Sequence, residues 1–348
     1  MIDTSIYSIY DSVYSLKEEI MKAASESKKI IEETTVFHHH YAVTTSTLDV
    51  ATELLPQMNT RDWFLITADE QTRGKGTHNR SWASPPQVNL YMTFLFPFPR
   101  TRMALLPNIP QVTSYAVILT LVELGFRPKI KWVNDVLLNR KKICGILCQA
   151  EFPPDLENYC AVKAGVGINV NMSQEICDSV DQPVTSLMLE ANRSFNKDDV
   201  LRIFERHFIS SIKLLIQHGF NYFRKAIAER MEYLGELIKV KDDTSDSIIE
   251  GTMVGVDEEG QLLLNTSTGQ VKMMTGHIIS QRVVNSIETM VKSLRDLNFP
   301  VNATKNVVEL VASYDSTLCA SILSFHYPQQ QTTPVETPSR RSENVQSC

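Results

Sequence analysis

The chain has 348 residues, 43% of them hydrophobic, and a formal net charge of −6; that is enough apolar surface for a sizeable core and a length that fits two domains. An acidic balance excludes broad electrostatic attraction to nucleic acid, which needs a basic face to neutralise phosphates. Six cysteines in a chain this long make no disulfide framework, the N-terminus has no basic region followed by an apolar run, and no apolar run reaches the roughly twenty residues that span a bilayer, so reduced thiols, a cytoplasmic location and no membrane partner are expected.

Residues 11–33 carry Leu, Ile and Ala at helical spacing among Glu and Lys, which predicts an amphipathic N-terminal helix. The run His38-His39-His40 offers imidazoles without an obvious fourth ligand, and a polar loop or strand entry is expected there. Ser46-Thr47 stands before Leu48-Asp49-Val50-Ala51, so one of the two hydroxyls is expected to cap a helix. A helix start with hydroxyls and free N–H groups also suits polar ligand atoms. Residues 64–68 read as a buried strand feeding the segment Gln71-Thr72-Arg73-Gly74-Lys75-Gly76-Thr77-His78-Asn79-Arg80-Ser81-Trp82-Ala83-Ser84-Pro85.

In that segment glycines alternate with cations and the run ends on an indole. Gly74 and Gly76 let backbone N–H groups approach a ligand closely, while Lys75 and Arg80 offer charge to carboxylate or phosphate oxygens. The arrangement suits the wrapping of a small anion.

Further on, residues 89–96 read as a strand, 112–124 as a helix closed by Gly125, and 130–132, 146–151 and 161–171 as strands. Cys144 and Cys148 have no second Cys/His pair at zinc-site spacing, so no metal held by the protein alone is expected. The pattern turns helical again from 198 to about 230. Short strands at 237–240, 248–256, 262–264 and 271–274, separated by Asp257-Glu258-Glu259-Gly260 and Thr268-Gly269 turns, predict a small β-barrel. Residues 287–325 have helical and apolar character, and from 328 onward Gln, Thr, Pro and Ser dominate, which predicts disorder.

Taken in order, the segments Ser46-Thr47, Gln71 with its glycine loop, Trp82-Ala83-Ser84-Pro85, Asn89-Leu90-Tyr91, Lys131-Trp132-Val133-Asn134-Asp135, Lys142-Ile143-Cys144-Gly145-Ile146-Leu147 and Gly165-Val166-Gly167-Ile168-Asn169 resemble the catalytic domain of the biotin protein ligases. The resemblance covers roughly residues 41 to 283, and its specificity lies in the combination. It implies an α+β fold, a mixed sheet with helices of the class II aminoacyl-tRNA synthetase and biotin-ligase type, followed by an SH3-like barrel. The implied organisation is an N-terminal helical extension at 1–40, a catalytic domain at 41–232, an SH3-like domain at 233–284, an extra segment at 285–327 and a disordered tail at 328–348.

The resemblance also implies an activity: activation of biotin by ATP to biotinyl-5′-AMP, then transfer to a lysine on the biotinyl domain of a biotin-dependent carboxylase. Lys142 would contact the biotin carboxylate and α-phosphate oxygens, with Lys75 and Arg80 beside it as catalytic cations. Ser46, Thr47, Leu48, Gln71, Gly74, Gly76, Thr77, Gly145 and Ile146 would join Lys75 and Lys142 around biotin. Trp82, Asn134, Ile168 and Asn169 would join Arg80 around the nucleotide, with Mg²⁺ on the phosphates near Asn134. No DNA-binding segment is implied, and self-association is left open.

Two departures stand out. The family loop carries arginines where this chain has Lys75, Thr77 and His78, and the family proline before Asn134-Asp135 is Val133. A lysine keeps the charge but lacks the bidentate fork of arginine, so a looser hold on the adenylate is expected. Rival readings are a lipoate or octanoate transferase, a biotin-binding scaffold without turnover, and an acceptor role for Lys272 in Val271-Lys272-Met273-Met274.

Overall fold

In the computed structural model, residues 34–245 and 247–279 are described. The expected helix at 11–33, the segment at 287–325, the tail from 328, Cys319 and Cys348 lie outside them. The first element is strand β1 (Val36–Thr44), followed by helix α1 (Thr47–Glu53), β2 (Trp63–Gln71), β3 (Leu90–Pro99) and helix α2 (Ile109–Glu123). Next come β4 (Lys129–Lys131), β5 (Asp135–Leu138), β6 (Lys141–Glu151) and β7 (Tyr159–Ile168). These seven strands form one sheet in the order β1-β2-β3-β7-β6-β5-β4. β1 pairs with β2 in parallel, and the other pairs are antiparallel.

Side-chain alternation distributes the core to both faces of the sheet. Trp63 and Leu65 of β2, with Phe94, Phe96 and Phe98 of β3, join a core that includes Val117, Ile118 and Leu121 of α2. The intervening Phe64, Ile66 and Leu95 face the other way and pack with Val50, Ala51 and Leu54 of α1. A strand buried on both faces reads as a continuous apolar run, which is why β2 and β3 were legible without alternation. α2 carries Pro110 in its first turn, where proline costs no hydrogen bond, and ends before Gly125 at φ +92. Together with the 3₁₀ turns at Arg100–Asn108 it forms a stretch, Arg100–Glu123, long and apolar enough to cross a bilayer by length and composition. Asn108 and Gln111 interrupt its apolar run, and its most apolar window is 72% buried inside the protein.

The short helices α3 (Gln174–Asp178) and α4 (Leu187–Ala191) precede α5 (Lys197–His218) and α6 (Asn221–Ala228). Asn196 caps α5 by accepting from the N–H groups of Asp198 and Asp199, and Phe204 and Phe208 bring α5 onto the sheet against Phe94. The single helical stretch expected at 198–230 is divided at Gly219, whose φ of +77 suits glycine. His38, His39 and His40 lie within β1 itself, not at its entry. β1 is a sheet edge with a wet face, which tolerates polar side chains; His38 Nε2 meets Glu205 Oε1 at 2.9 Å.

β5, a strand not expected from the sequence, forms a hairpin with β6, which begins before the expected 146–151. Leu138 pairs with Lys141, and the two loop residues Asn139 and Arg140 both have positive φ, the requirement of a tight turn matched to strand twist. A second, five-stranded sheet comprises β8 (Leu237–Lys241), β9 (Ile248–Val256), β10 (Leu262–Thr266), β11 (Gly269–Met273) and β12 (His277–Ile279), in the order β11-β10-β9-β8-β12. It is fastened to α2, where Gln111 Nε2 donates to Gly260 O at 2.9 Å, and to the residue before α2, where Asn108 Nδ2 donates to Glu259 O at 2.7 Å. Lys272 lies within β11 opposite Leu263 and pairs with Asp257 at 2.9 Å, not at a hairpin tip.

Candidate active site

The site starts from the end of β1. Ser46 caps α1, its Oγ accepting from Leu48 N, and both Ser46 and Thr47 are buried. Gln71, the last residue of β2, bridges this helix start to the glycine loop. Its Oε1 accepts from Thr47 N at 2.9 Å and from Thr47 Oγ1 at 3.3 Å, while its Nε2 donates to Ser84 Oγ at 2.9 Å. Thr93 on β3 completes the network by donating to Thr47 Oγ1 at 2.8 Å.

The glycine loop is itself a small hairpin. Lys75 and Ser81 pair as an antiparallel bridge, Gly76 N donates to Arg80 O at 2.7 Å and Trp82 N donates to Gly74 O at 2.9 Å. A Cβ at Gly74 would stand 2.4 Å from the carbonyl oxygen of Trp82, so the close approach needs glycine there. Lys75 pairs with Asp49 in the first turn of α1. Burial works against the charged form of Asp49, yet the hydrogen bonds from Lys75 and Thr45 hold its carboxyl below the usual range.

Trp82 reaches from the loop onto the sheet. Gly145 on β6 and Gly167 on β7 are register partners, and a Cβ would lie 2.6 Å from Trp82 Cζ3 at the first and 2.5 Å from Cε2 at the second. Two glycines side by side therefore cut the hollow in which the indole lies. Trp82 Nε1, pressed against Gly167, is buried and has no hydrogen-bond partner.

Lys142 stands at the other wall. Its Nζ is 2.7 Å from Asp135 Oδ1, with both side chains mostly buried, and 5.2 Å from the centre of the Trp82 ring. Backbone bonds from Lys142 N to Pro183 O and from Thr185 N to Lys142 O hold the residue in place. Asn134 is locked beside it: Nδ2 donates to Ile146 O at 2.8 Å and Asn134 O accepts from Ile146 N at 3.0 Å. The Trp132–Val133 peptide bond just before it is cis. Lys131 adds a second cation. Burial, assisted by the charges of Lys142 and Arg80, pushes its ammonium below the ordinary lysine range against the pull of Asp135.

These residues line a partly open hollow whose enclosed space is about 40 Å³. Of the residues singled out in the sequence, Ser46, Thr47, Leu48, Gln71, Lys75, Gly76, Thr77, Trp82, Asn134, Lys142, Gly145 and Ile146 line it. Gly74, Arg80, Ile168 and Asn169 do not. Gly74 supports Trp82 from behind and Arg80 is exposed on the loop. Ile168 is fully buried in the core, and Asn169, 3% exposed, donates to Thr185 O at 3.0 Å beneath Lys142. Asn169 thus braces the strand that carries the lysine.

Asp135, Met92, Leu147, Gly165, Val166 and Gly167 also line the cavity and were not among the expected contacts. For the two glycines a signal existed: Gly165 and Gly167 alternate on one strand, so both face the same side. A larger hollow of about 350 Å³ between residues 55–58 and 151–156 is walled by Leu55, Pro56, Met58, Phe152 and Pro153, with Asp155 at hand and Glu151 held by Lys163 at 2.9 Å.

The cavity combines a buried cation–carboxylate pair, an indole and a hydroxyl–amide network, a set suited to a ligand with an acid group at one end and a polar ring at the other. Residues 41–169 match the Biotin/lipoate A/B protein ligase family, and residues 233–285 match the Biotin protein ligase C terminal domain. The chain is 29% identical over 238 residues to the "Bifunctional ligase/repressor BirA" of Bacillus subtilis, covering 68% of this chain and 71% of that protein. It is also 29% identical to the "Biotin--[acetyl-CoA-carboxylase] ligase" of Paracoccus denitrificans, covering 66% of this chain and 94% of that one. Among solved structures, the biotin protein ligase from Aquifex aeolicus in complex with biotin and ATP superposes with a TM-score of 0.58 at 26% identity, covering 70% of this chain and 97% of that chain. With both domain signatures in their expected order around one glycine-loop cavity, the chain belongs to the biotin protein ligase family.

Proposed function

We propose that the protein is an ATP-dependent biotin protein ligase that uses the Lys142 cavity for both half-reactions. The observation that carries this reading is the convergence on one cavity of Lys142, Trp82 and the Ser46–Thr47–Gln71 network. The solved relative with both biotin and ATP bound supports it.

Amide formation from a free carboxylate needs a leaving group. In the first half-reaction a carboxylate oxygen of biotin attacks the α-phosphorus of ATP, a P–O bond forms, and pyrophosphate departs. Two anions must meet, and a fixed cation in a poorly solvated site lowers that cost. Lys142 is placed for this, held by Asp135 so that its ammonium needs little reorganisation. Lys75, Lys131 and Arg80 add positive potential around the same path. In the second half-reaction an acceptor lysine amine attacks the acyl carbon of the mixed anhydride, the C–N bond forms, and AMP leaves.

At the other end of the ligand, the hydroxyls of Ser46 and Thr47 and the amide of Gln71 offer partners for a ureido ring. An unpaired buried polar group costs about 1–3 kcal/mol, so such a pocket selects biotin over a plain fatty acid. Mg²⁺ accompanying ATP would find oxygen donors in Asn134 and Asp135, the ligand type it prefers. The reading places the acceptor in the biotinyl domain of a carboxylase and includes no nucleic-acid or membrane partner. It locates the protein in the cytoplasm, where unpaired thiols such as Cys144, Cys148, Cys160 and Cys177 stay reduced.

The test is biotin-dependent ATP–pyrophosphate exchange, followed by label transfer to an isolated biotinyl domain. Exchange with biotin and transfer to the domain are expected. Exchange with lipoate or octanoate but not biotin would move the protein to the transferase class. Biotin binding without any exchange would make it a scaffold.

A further inference from the structure

Outside the cavity, three chain segments far apart in sequence bring nitrogen and oxygen ligands to one point. His78 lies in the 3₁₀ turn Thr77–Asn79 of the glycine loop, at φ 56 and ψ 41. Asp243 follows β8, and His277 opens β12. His78 Nε2 is 2.9 Å from Asp243 Oδ1, His277 Nδ1 is 3.3 Å from the same oxygen, and one ligand atom from each residue lies within 4.8 Å of the others. The two imidazole rings sit 5.1 Å apart, centre to centre.

Local geometry holds each ligand. Asp242 accepts from Thr244 N at 2.7 Å and Ser245 N at 3.4 Å, a turn that presents the neighbouring Asp243. Gly276, at φ +138 and with a Cβ position only 2.5 Å from Lys241 O, sets the direction of His277. The side chains of His78, Asp243 and His277 are 40%, 31% and 28% exposed, which leaves one side open to solvent.

We propose that His78, Asp243 and His277 form a site for a zinc-class divalent ion that clamps the glycine loop to the second sheet. Two imidazoles and a carboxylate are a preferred donor set for Zn²⁺ and its first-row neighbours and a poor one for Mg²⁺ or Ca²⁺. Zinc bonds of about 2.0–2.1 Å in a tetrahedron place ligand atoms about 3.3 Å apart; the His277–Asp243 distance matches that edge at 3.3 Å and the His78–Asp243 distance, 2.9 Å, falls a little inside it. Three protein ligands with an open side leave the fourth position to water. The ion would tie residue 78 to the second sheet and so fix the loop that carries Lys75, Thr77 and Trp82 at the cavity. Arg80 is close enough for its charge to act on His277, so the ion would add to the positive potential on the loop. The donor set stands independently of the ligase reading, because it shares no side chain with the cavity wall.

The test uses the full chain, freed of metal by a chelator and examined without biotin or ATP. Co²⁺ is titrated as the probe, and its visible d–d absorption reports nitrogen and oxygen ligation. One equivalent with the intensity of a four- or five-coordinate ion is expected. Asp243→Asn and His277→Gln should each weaken binding at least about tenfold, since loss of a mere outer partner already costs that much, and His78→Gln, on the exposed loop, gives a third variant should either of these fail to fold. A variant with His38, His39 and His40 all changed to Gln should bind as the parent does. Absence of the band, or its persistence at full strength in the folded Asp243→Asn and His277→Gln variants, overturns the site. Zn²⁺ should also slow tryptic cleavage after Lys75 and Arg80 in the parent but not in His277→Gln, and equal cleavage with and without Zn²⁺ overturns the clamp.

Discussion

The ammonium of Lys142 stands 2.7 Å from Asp135 Oδ1, joining the first residue of β5 to the second residue of β6 across a hairpin. The pair holds a mostly buried lysine in one place before any ligand arrives, because an unpaired ammonium in that wall would be poorly solvated. It also separates the two roles proposed here: Lys142 to meet the reacting anions, and Asp135 to position it.

Lys142→Ala should therefore lower biotin-dependent ATP–pyrophosphate exchange by about 10²–10³-fold, the usual effect of removing one donor to developing charge. Asp135→Asn should reduce the same rate less while leaving the lysine in place. Exchange assays on both variants check the order, and an unimpaired Lys142→Ala enzyme would remove the lysine from the chemistry.

Gly167→Ala should disturb the cavity without unfolding the sheet. The added methyl would meet the Trp82 ring at 2.5 Å, and the indole must shift, at a cost of about 1–3 kcal/mol typical of overpacking. Biotin affinity by calorimetry should fall by roughly 5- to 150-fold, whereas the urea midpoint should change little if the tryptophan swings away from the wall. Unchanged affinity would mean that the indole's position is immaterial to the ligand.

Thr77 lines the cavity at a position where the family loop carries an arginine. Thr77→Arg should slow release of the adenylate, since a guanidinium can engage phosphate oxygens through two parallel bonds. Release of radiolabelled adenylate from parent and variant measures this, and equal off-rates would count against a loop that holds the intermediate weakly.

His207 supplies a pH prediction. Its ring is 2% exposed and Nε2 donates to Glu123 at 2.8 Å; burial pushes its pKa below the ordinary imidazole range, against the pull of Glu123. As pH falls below about 6.5 the unfolded chain takes up this proton first. The stability contributed by the neutral ring is thus complete above that value and is lost on descent toward the lowered folded value. Urea midpoints at about pH 8 and pH 5.5 should differ more in the parent than in His207→Gln; identical differences would show that His207 takes no part.

Reading the sequence located the pieces of the site because their signals are local. Ser46 precedes an apolar helical pattern, β2 and β3 are unbroken apolar runs, and Gly74 to Trp82 alternates glycine with cations. Each depends on residues within a turn or a strand of one another, where sterics and hydrogen bonding act over short distances. Family resemblance then supplied a function for the combination.

Tertiary structure decided which of these residues meet. Strand register set Gly145 beside Gly167 and Asp135 opposite Gly145, which put the carboxylate on Lys142 and the indole in a glycine hollow. The same register turned Ile168 and Asn169 into the core, away from the cavity wall. His78, Asp243 and His277 converge from a loop of one sheet and from a connection and a strand start of the other. Contacts of this kind arise from how strands pair and sheets pack over long sequence separations, and local periodicity carries no record of that choice.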